Sequence, residues 1–167
     1  MADDDSNTPT SEQETAEAVR QLLNRPSLED TEERVRSVVE QIAAVGSELV
    51  PGMRWQWIDD RRGSDCGRPF DRTRGIEMNL PNYWTRDVPI PDSIWPQFLA
   101  RVHLIAADVG ATAVEVMQDR PAAHDIWFSS PDGITIKVTT KRATVISAST
   151  GCRLFSDRFD SPIRPTS

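Results

Sequence analysis

The last third of the chain constrains the fold more than any other part. From Gly133 to Thr140 the apolar residues Ile134, Ile136 and Val138 occupy every second position. That is the period of a strand with one buried face. His124 to Ser129 reads as a strand before it and Ala143 to Ser149 as one after it. Pro131-Asp132-Gly133 is a turn signal between the first two, and Lys141-Arg142 is a tight polar connection to the third. Thr112 to Asp119 is predicted as a fourth strand, with Val114 and Val116 facing inward. Connections this short force antiparallel pairing, because a parallel pair needs a crossover of roughly a dozen residues.

A sheet with one apolar face must be covered. Ser11-Glu12-Gln13-Glu14 has the form of a capping box and predicts a short helix from Glu12 to about Asn24. Ser27 is placed as the cap of a second helix, with Glu29 and Asp30 at its positive end. Val35, Val38, Val39, Ile42, Val45 and Leu49 form its apolar stripe, and Pro51-Gly52 ends it. Asp92 is placed as the cap of a third helix with Trp95, Phe98, Leu99, Val102, Ile105, Ala106 and Val109 on its buried side, stopped at Gly110. Two strands are expected between the second and third helices. Met53, Trp55 and Trp57 alternate in one; Ile76, Met78 and Leu80 alternate in the other. The order is α-α-β-β-α-β-β-β-β. It predicts an α+β fold, an antiparallel sheet of about six strands with helices packed on one face.

Charge divides the chain. Residues 1–33 hold ten acidic residues against Arg20 and Arg25, while the rest is near neutral. Residues 1–26 are expected to be an acidic leader or tether containing a short helix, 27–155 a single domain, and 156–167 a tail. A near-neutral domain behind an acidic leader has no electrostatic footprint for nucleic acid. No run approaches the roughly 18–20 apolar residues of a membrane span. Met1-Ala2-Asp3-Asp4-Asp5 is not a signal peptide. The chain is therefore expected to be either cytosolic or a mature segment whose export signal is gone.

Cys66 and Cys152 are the two cysteines. Neither belongs to a CxxC pair, so zinc is not expected. A disulfide closing a loop of about 87 residues would stabilise the fold by roughly 4–5 kcal/mol in the chain-entropy account. Two buried free thiols are the other reading of the same residues. Catalytic candidates are weak. His124 beside Asp125 could orient a base toward Ser129 or Ser130, but no tight elbow surrounds those serines, and His103 lies among helix apolar positions. Asp59, Asp60, Asp65 and Asp71 have calcium-ligand chemistry, yet five arginines between Arg61 and Arg74 interleave with them. Glu77 and Glu115 are outward positions of alternating strands rather than a glycosidase pair. No catalytic residue, metal or cofactor is expected. Trp55, Trp57, Trp95 and Trp127 are read as core. Tyr83 and Trp84 lie in a proline-flanked segment outside core periodicity. They are the candidate binding surface, against the alternative that they cap the sheet's apolar face.

Val50-Pro51-Gly52-Met53-Arg54-Trp55, then Asp59-Asp60 and Cys66, resembles a block of the mycobacterial LppA-type lipoproteins. Gly110-Ala111-Thr112, Asp125, Gly133, Thr150-Gly151-Cys152 and Leu154 continue the pattern, over about residues 30–155. The resemblance implies an exported domain held to the outer face of the plasma membrane by a lipid on an N-terminal cysteine. It favours the Cys66–Cys152 disulfide over free thiols. This chain carries no lipobox and no N-terminal cysteine, so Met1-Ala2 is expected near where the lipidated cysteine stood. A paralogue without the signal is the other explanation. The functional expectation is a non-enzymatic module that binds an envelope protein, a lipid or a glycan. Its rival is a lipid or glycan carrier, or a hydrolase, with a pocket between helices and sheet.

Overall fold

A computed structural model describes residues 9–165. Its order is α1 (Glu12–Asn24), α2 (Leu28–Leu49), β1 (Trp55–Ile58), β2 (Arg62–Asp65), β3 (Ile76–Asn79), β4 (Asn82–Thr85), α3 (Trp95–Ala107), β5 (Ala113–Arg120), β6 (Ala123–Ser129), β7 (Thr135–Thr140) and β8 (Thr144–Arg153). The α+β class and the helices agree with the sequence reading. The antiparallel sheet has eight strands where about six were expected. The additional two are β2, inside the charged segment after Asp60, and β4, which carries Tyr83 and Trp84. No helix among the described residues is long and apolar enough to cross a membrane.

Caps set the first two helices as their sequences require. The Ser11 side chain accepts from the Glu14 amide, while Glu14 accepts from the Ser11 amide. Ser27 accepts from the Asp30 amide. Each cap satisfies amides that the first helical turn leaves without partners. The third helix starts differently. Ile94 is its N-cap and no side chain caps it. Asp92, expected in that role, instead accepts from the Ala122 amide and faces His124.

β6, β7 and β8 form the expected meander, paired Phe128↔Ile136 and Val138↔Ile146. Phe128, Ile136, Val138 and Ile146 have no exposed surface, and they pack under Val35, Val39 and Ile42 of α2 and Phe98 and Val102 of α3. The helices thus cover one face only. Val114 and Val116 stand on that same face, opposite Phe128 and Ile126. They are nevertheless exposed, Val116 by 58%. β5 is the sheet's outer edge, beyond the reach of the helix layer, which is why alternation there did not mean burial.

β8 is long enough to take two neighbours along its other side. Its first half pairs with β4 through Tyr83↔Ile146 and Trp84↔Val145; its second half pairs with β3 through Glu77↔Cys152. The sheet branches between these two pairings. β1 pairs β4 and β2 pairs β3, so the β1–β2 and β3–β4 links, which join one pair to the other, fall beside the branch.

A second, smaller core surrounds the disulfide. Cys66 and Cys152 are bonded, and Leu22 of α1, Leu154, Phe70 and Phe159 pack around them. From Thr10 onward the acidic leader is therefore docked on the domain, and Arg164 in the last segment pairs with Asp65. Residues 1–8 of the leader and 166–167 of the tail lie outside the described residues. At the end of β8, Gly151 has φ +69° and an added Cβ would lie 2.6 Å from the Gly133 carbonyl. Only glycine suits that conformation and that approach together. The crossing lets β8 run past the β6–β7 turn and deliver Cys152 to its partner.

Arg153 follows, fully buried. Its Nε donates to the Thr150 carbonyl at 2.7 Å, and its Nη2 reaches the Asp132 carboxylate at 2.8 Å and the Asp132 carbonyl at 3.2 Å. Burial pushes the Asp132 carboxyl up, but hydrogen bonds from Ser130 and Arg153 and the charges of Arg153 and Arg25 outweigh it and hold the group below its ordinary range.

Candidate functional site

The branch of the sheet opens a cleft of about 340 Å³ on the face away from the helices. Its floor is β8 at Ser147, Ala148 and Ser149, with Thr135 and Lys137 of β7 alongside. Asn79, Leu80 and Asn82 line it from the β3–β4 side, and Asp59, Asp60, Arg62 and Glu77 complete the wall. Two short networks order these groups. Ser147 Oγ donates to Asn82 Oδ1 at 2.7 Å, and Asn82 Nδ2 donates to Asp59 Oδ2 at 3.1 Å. Separately, Ser149 Oγ donates to Glu77 Oε1 at 2.9 Å. Asp59 sits at φ +70°, a left-handed conformation that aspartate tolerates better than most residues and that begins the turn into β2.

The same face carries two tryptophans. Trp127, expected in the core, lies here half-buried, with Lys137 Nζ 3.9 Å above its ring and its Nε1 donating to Asp125. The register runs Ser147↔Lys137↔Trp127↔Glu115 across the sheet. Trp84 lies on the adjacent row, opposite Val145 and Gln56. Tyr83 and Trp84 are thus not a loop surface. As consecutive strand residues they point to opposite faces. Tyr83 turns inward and stacks on Trp57 at 4.2 Å and on Trp55 at 5.5 Å, capping the apolar face. Trp84 stays half-buried on the open face.

The catalytic candidates separate. His124 is 6% exposed, stacked on Trp95 at 4.6 Å, with Asp119 at 2.7 Å from Nδ1 and Asp92 at 2.8 Å from Nε2. It clamps the β5–β6 hairpin to the segment before α3. The hydrogen bond from His124, then that from the Ala122 amide, holds the Asp92 carboxyl below its ordinary range. Asp125 points to the other face and accepts from Trp127 and Thr139. Ser129 ends the same strand, about 16 Å along from His124, and Ser130 instead bonds Asp132 in the turn. No triad geometry exists there. His103 is exposed and meets the Phe128 ring edge-on at 5.0 Å. Glu77 and Glu115 stand four strand spacings apart, a lateral distance of about 19 Å by itself, beyond the separation of a glycosidase pair. Asp65 pairs with Arg164, Asp71 accepts from Thr10, and Asp59 serves Asn82. Among the described residues no group of three or more metal-ligand side chains comes together.

Sequence reasoning missed the cleft. Its groups come from five strands and two links, and each polar one looks locally like an ordinary solvated position. The seam between helices and sheet, where the rival carrier reading requires a pocket, is occupied by Phe98, Val102, Phe128, Ile136 and Ile146.

Comparison with solved structures finds a crystal structure of LppA from Mycobacterium tuberculosis with a TM-score of 0.74 and 18% sequence identity, covering 93% of this chain and 95% of that one. At that identity the likeness concerns the fold. A DUF4853 family protein from Actinomyces odontolyticus ATCC 17982 is more distant, with a TM-score of 0.48 at 16% identity over 86% of this chain and 79% of that one. A search of curated proteins finds no match. The family model for LppA, described as a lipoprotein confined to pathogenic Mycobacterium, matches residues 3–156. With nearly the whole chain covered, and the helices, sheet and disulfide described above, this chain belongs to the LppA lipoprotein family.

Proposed function

We propose that the domain is a non-enzymatic binding module of the cell envelope, held at the outer face of the plasma membrane by a lipid anchor, which takes its ligand on the open face of the sheet. Membership in a lipoprotein family supports the location. The observation that carries the binding reading is the cleft at the branch of the sheet, where side chains of β3, β4, β7 and β8 converge on the face opposite α2 and α3. Small-ligand sites are concave, with a few converging polar groups that fix orientation; this cleft shares the concavity and the converging groups, and its mostly polar lining suits a polar ligand. The lining pairs the Ser149 hydroxyl with the Glu77 carboxylate but contributes no histidine or cysteine, and we read it as a site that holds rather than transforms.

The test uses the folded soluble domain and a purified cell-envelope fraction. Ser147→Trp fills the cleft from its floor and is expected to lower retention at least about tenfold, the scale of losing one well-placed polar contact. Glu40→Ala, on the exposed side of α2, is expected to leave retention unchanged. Equal retention of wild type and Ser147→Trp, with both folded by circular dichroism, would remove the cleft from the account.

A further inference from the structure

Resting on that reading, we infer that the cleft takes an uncharged, hydroxyl-rich saccharide whose chain continues over Trp84. The lining argues for hydroxyls. A sugar hydroxyl both donates and accepts, and the cleft offers both capacities side by side. Asn82 uses one N–H on Asp59 and keeps the other. Ser147 donates to Asn82 and keeps its oxygen as an acceptor. Glu77 accepts from Ser149 on one carboxylate oxygen, leaving the second free of that bond. Neighbouring groups of this kind match adjacent hydroxyls on a ring.

Charge and apolar content argue against the other ligands. Asp59, Asp60 and Glu77 outnumber Arg62 and Lys137, and Lys137 is already held over Trp127. A phosphate, sulfate or uronate would therefore meet net negative charge. Leu80 and Ala148 are the only aliphatic residues of the lining, too few to hold an acyl chain. The volume, about 340 Å³, lies at the lower end of small-molecule clefts, roughly 300–1,000 Å³. Trp84 stands two residues along β4 from Asn82, about 7 Å away on the same face. It is the aromatic plane on which the apolar side of a following sugar ring would rest.

The probe is an array of neutral hexose and pentose oligosaccharides beside uronic-acid and sulfated ones, read with the whole folded domain. Binding is expected on neutral spots only. For a neutral hit in solution, Ser147→Trp is expected to abolish binding, and Asn82→Ala to weaken it about tenfold or more. Trp84→Ala is expected to weaken it roughly three- to tenfold. Stronger binding to the acidic spots, or affinity indifferent to these three variants, overturns the inference. The two readings fail separately. If no saccharide binds while envelope retention still depends on Ser147, the saccharide is wrong and the binding face stands. If proteinase rather than periodate treatment of the envelope abolishes retention, the ligand is a protein. If retention does not depend on Ser147 either, both fall.

Discussion

Replacing Arg153 by methionine is expected to cost about 3–5 kcal/mol, the range for breaking a buried charge pair from one side. The guanidinium has no exposed surface. It joins the end of β8 to the β6–β7 turn through Thr150 and Asp132. Methionine fills similar space but returns none of these bonds, so the carbonyl of Thr150 loses a buried donor. Asp132 is 40% exposed at its side chain and can rehydrate, which keeps the cost from rising further. Urea unfolding at constant m-value reads the effect directly. A loss under about 1 kcal/mol would place the guanidinium among ordinary surface pairs. The pair also sets a pH dependence. The Asp132 carboxyl is held below its ordinary value in the folded state. Its contribution is therefore present above the unfolded value, near 3.9, and is lost as pH falls through the lower folded value. In Arg153→Met that acid loss becomes shallower, because the hydrogen bond and charge of Arg153 are gone.

The second large effect belongs to the disulfide. Cys66 and Cys152 are 86 residues apart. Cross-linking so long a loop restricts the unfolded chain, for an expected contribution of about 4–5 kcal/mol. Cys66→Ala with Cys152→Ala should lower Tm by roughly 10–20 °C for a domain of this size. Alanine suits the site because both sulfurs are buried among Leu22, Leu154, Phe70 and Phe159. The same fall should follow reduction of the wild-type protein and should be absent when the double variant is treated with reductant. A shift under about 3 °C would mean that the small core around α1 holds this end of the fold without its covalent link.

Much of this architecture is legible in the sequence, for identifiable reasons. The caps at Ser11 and Ser27 are local chemistry, and α1 and α2 begin where those residues dictate. The meander of β6, β7 and β8 follows from alternation and short connections. β2 reads Arg-Gly-Ser-Asp and is exposed throughout. It is a strand because β3 lies beside it, not because of its own residues. β4 is concealed by the prolines around it, and its pairing comes from β1 and β8. Asp92 has the identity of a cap, but its nearest calls on its oxygens come from Ala122 and His124, thirty residues onward. Val116 and Trp127 show the limit of periodicity. Alternation gives the side of a sheet, and whether that side is covered depends on where the helices end. The cleft is the extreme case, since it exists only where β8 exchanges one neighbour for another.

The central claim is that the face of the sheet opposite the helices meets the ligand. Photo-crosslinking tests it most directly. A benzophenone side chain replaces Gln56, exposed on the open face beside Trp84 and outside the cleft lining, in one sample and Glu40 on exposed α2 in another, and each folded domain is irradiated with the envelope fraction. Adducts from position 56, and none above background from position 40, are the predicted result. Equal yields from the two positions, or adducts from position 40 alone, would contradict it.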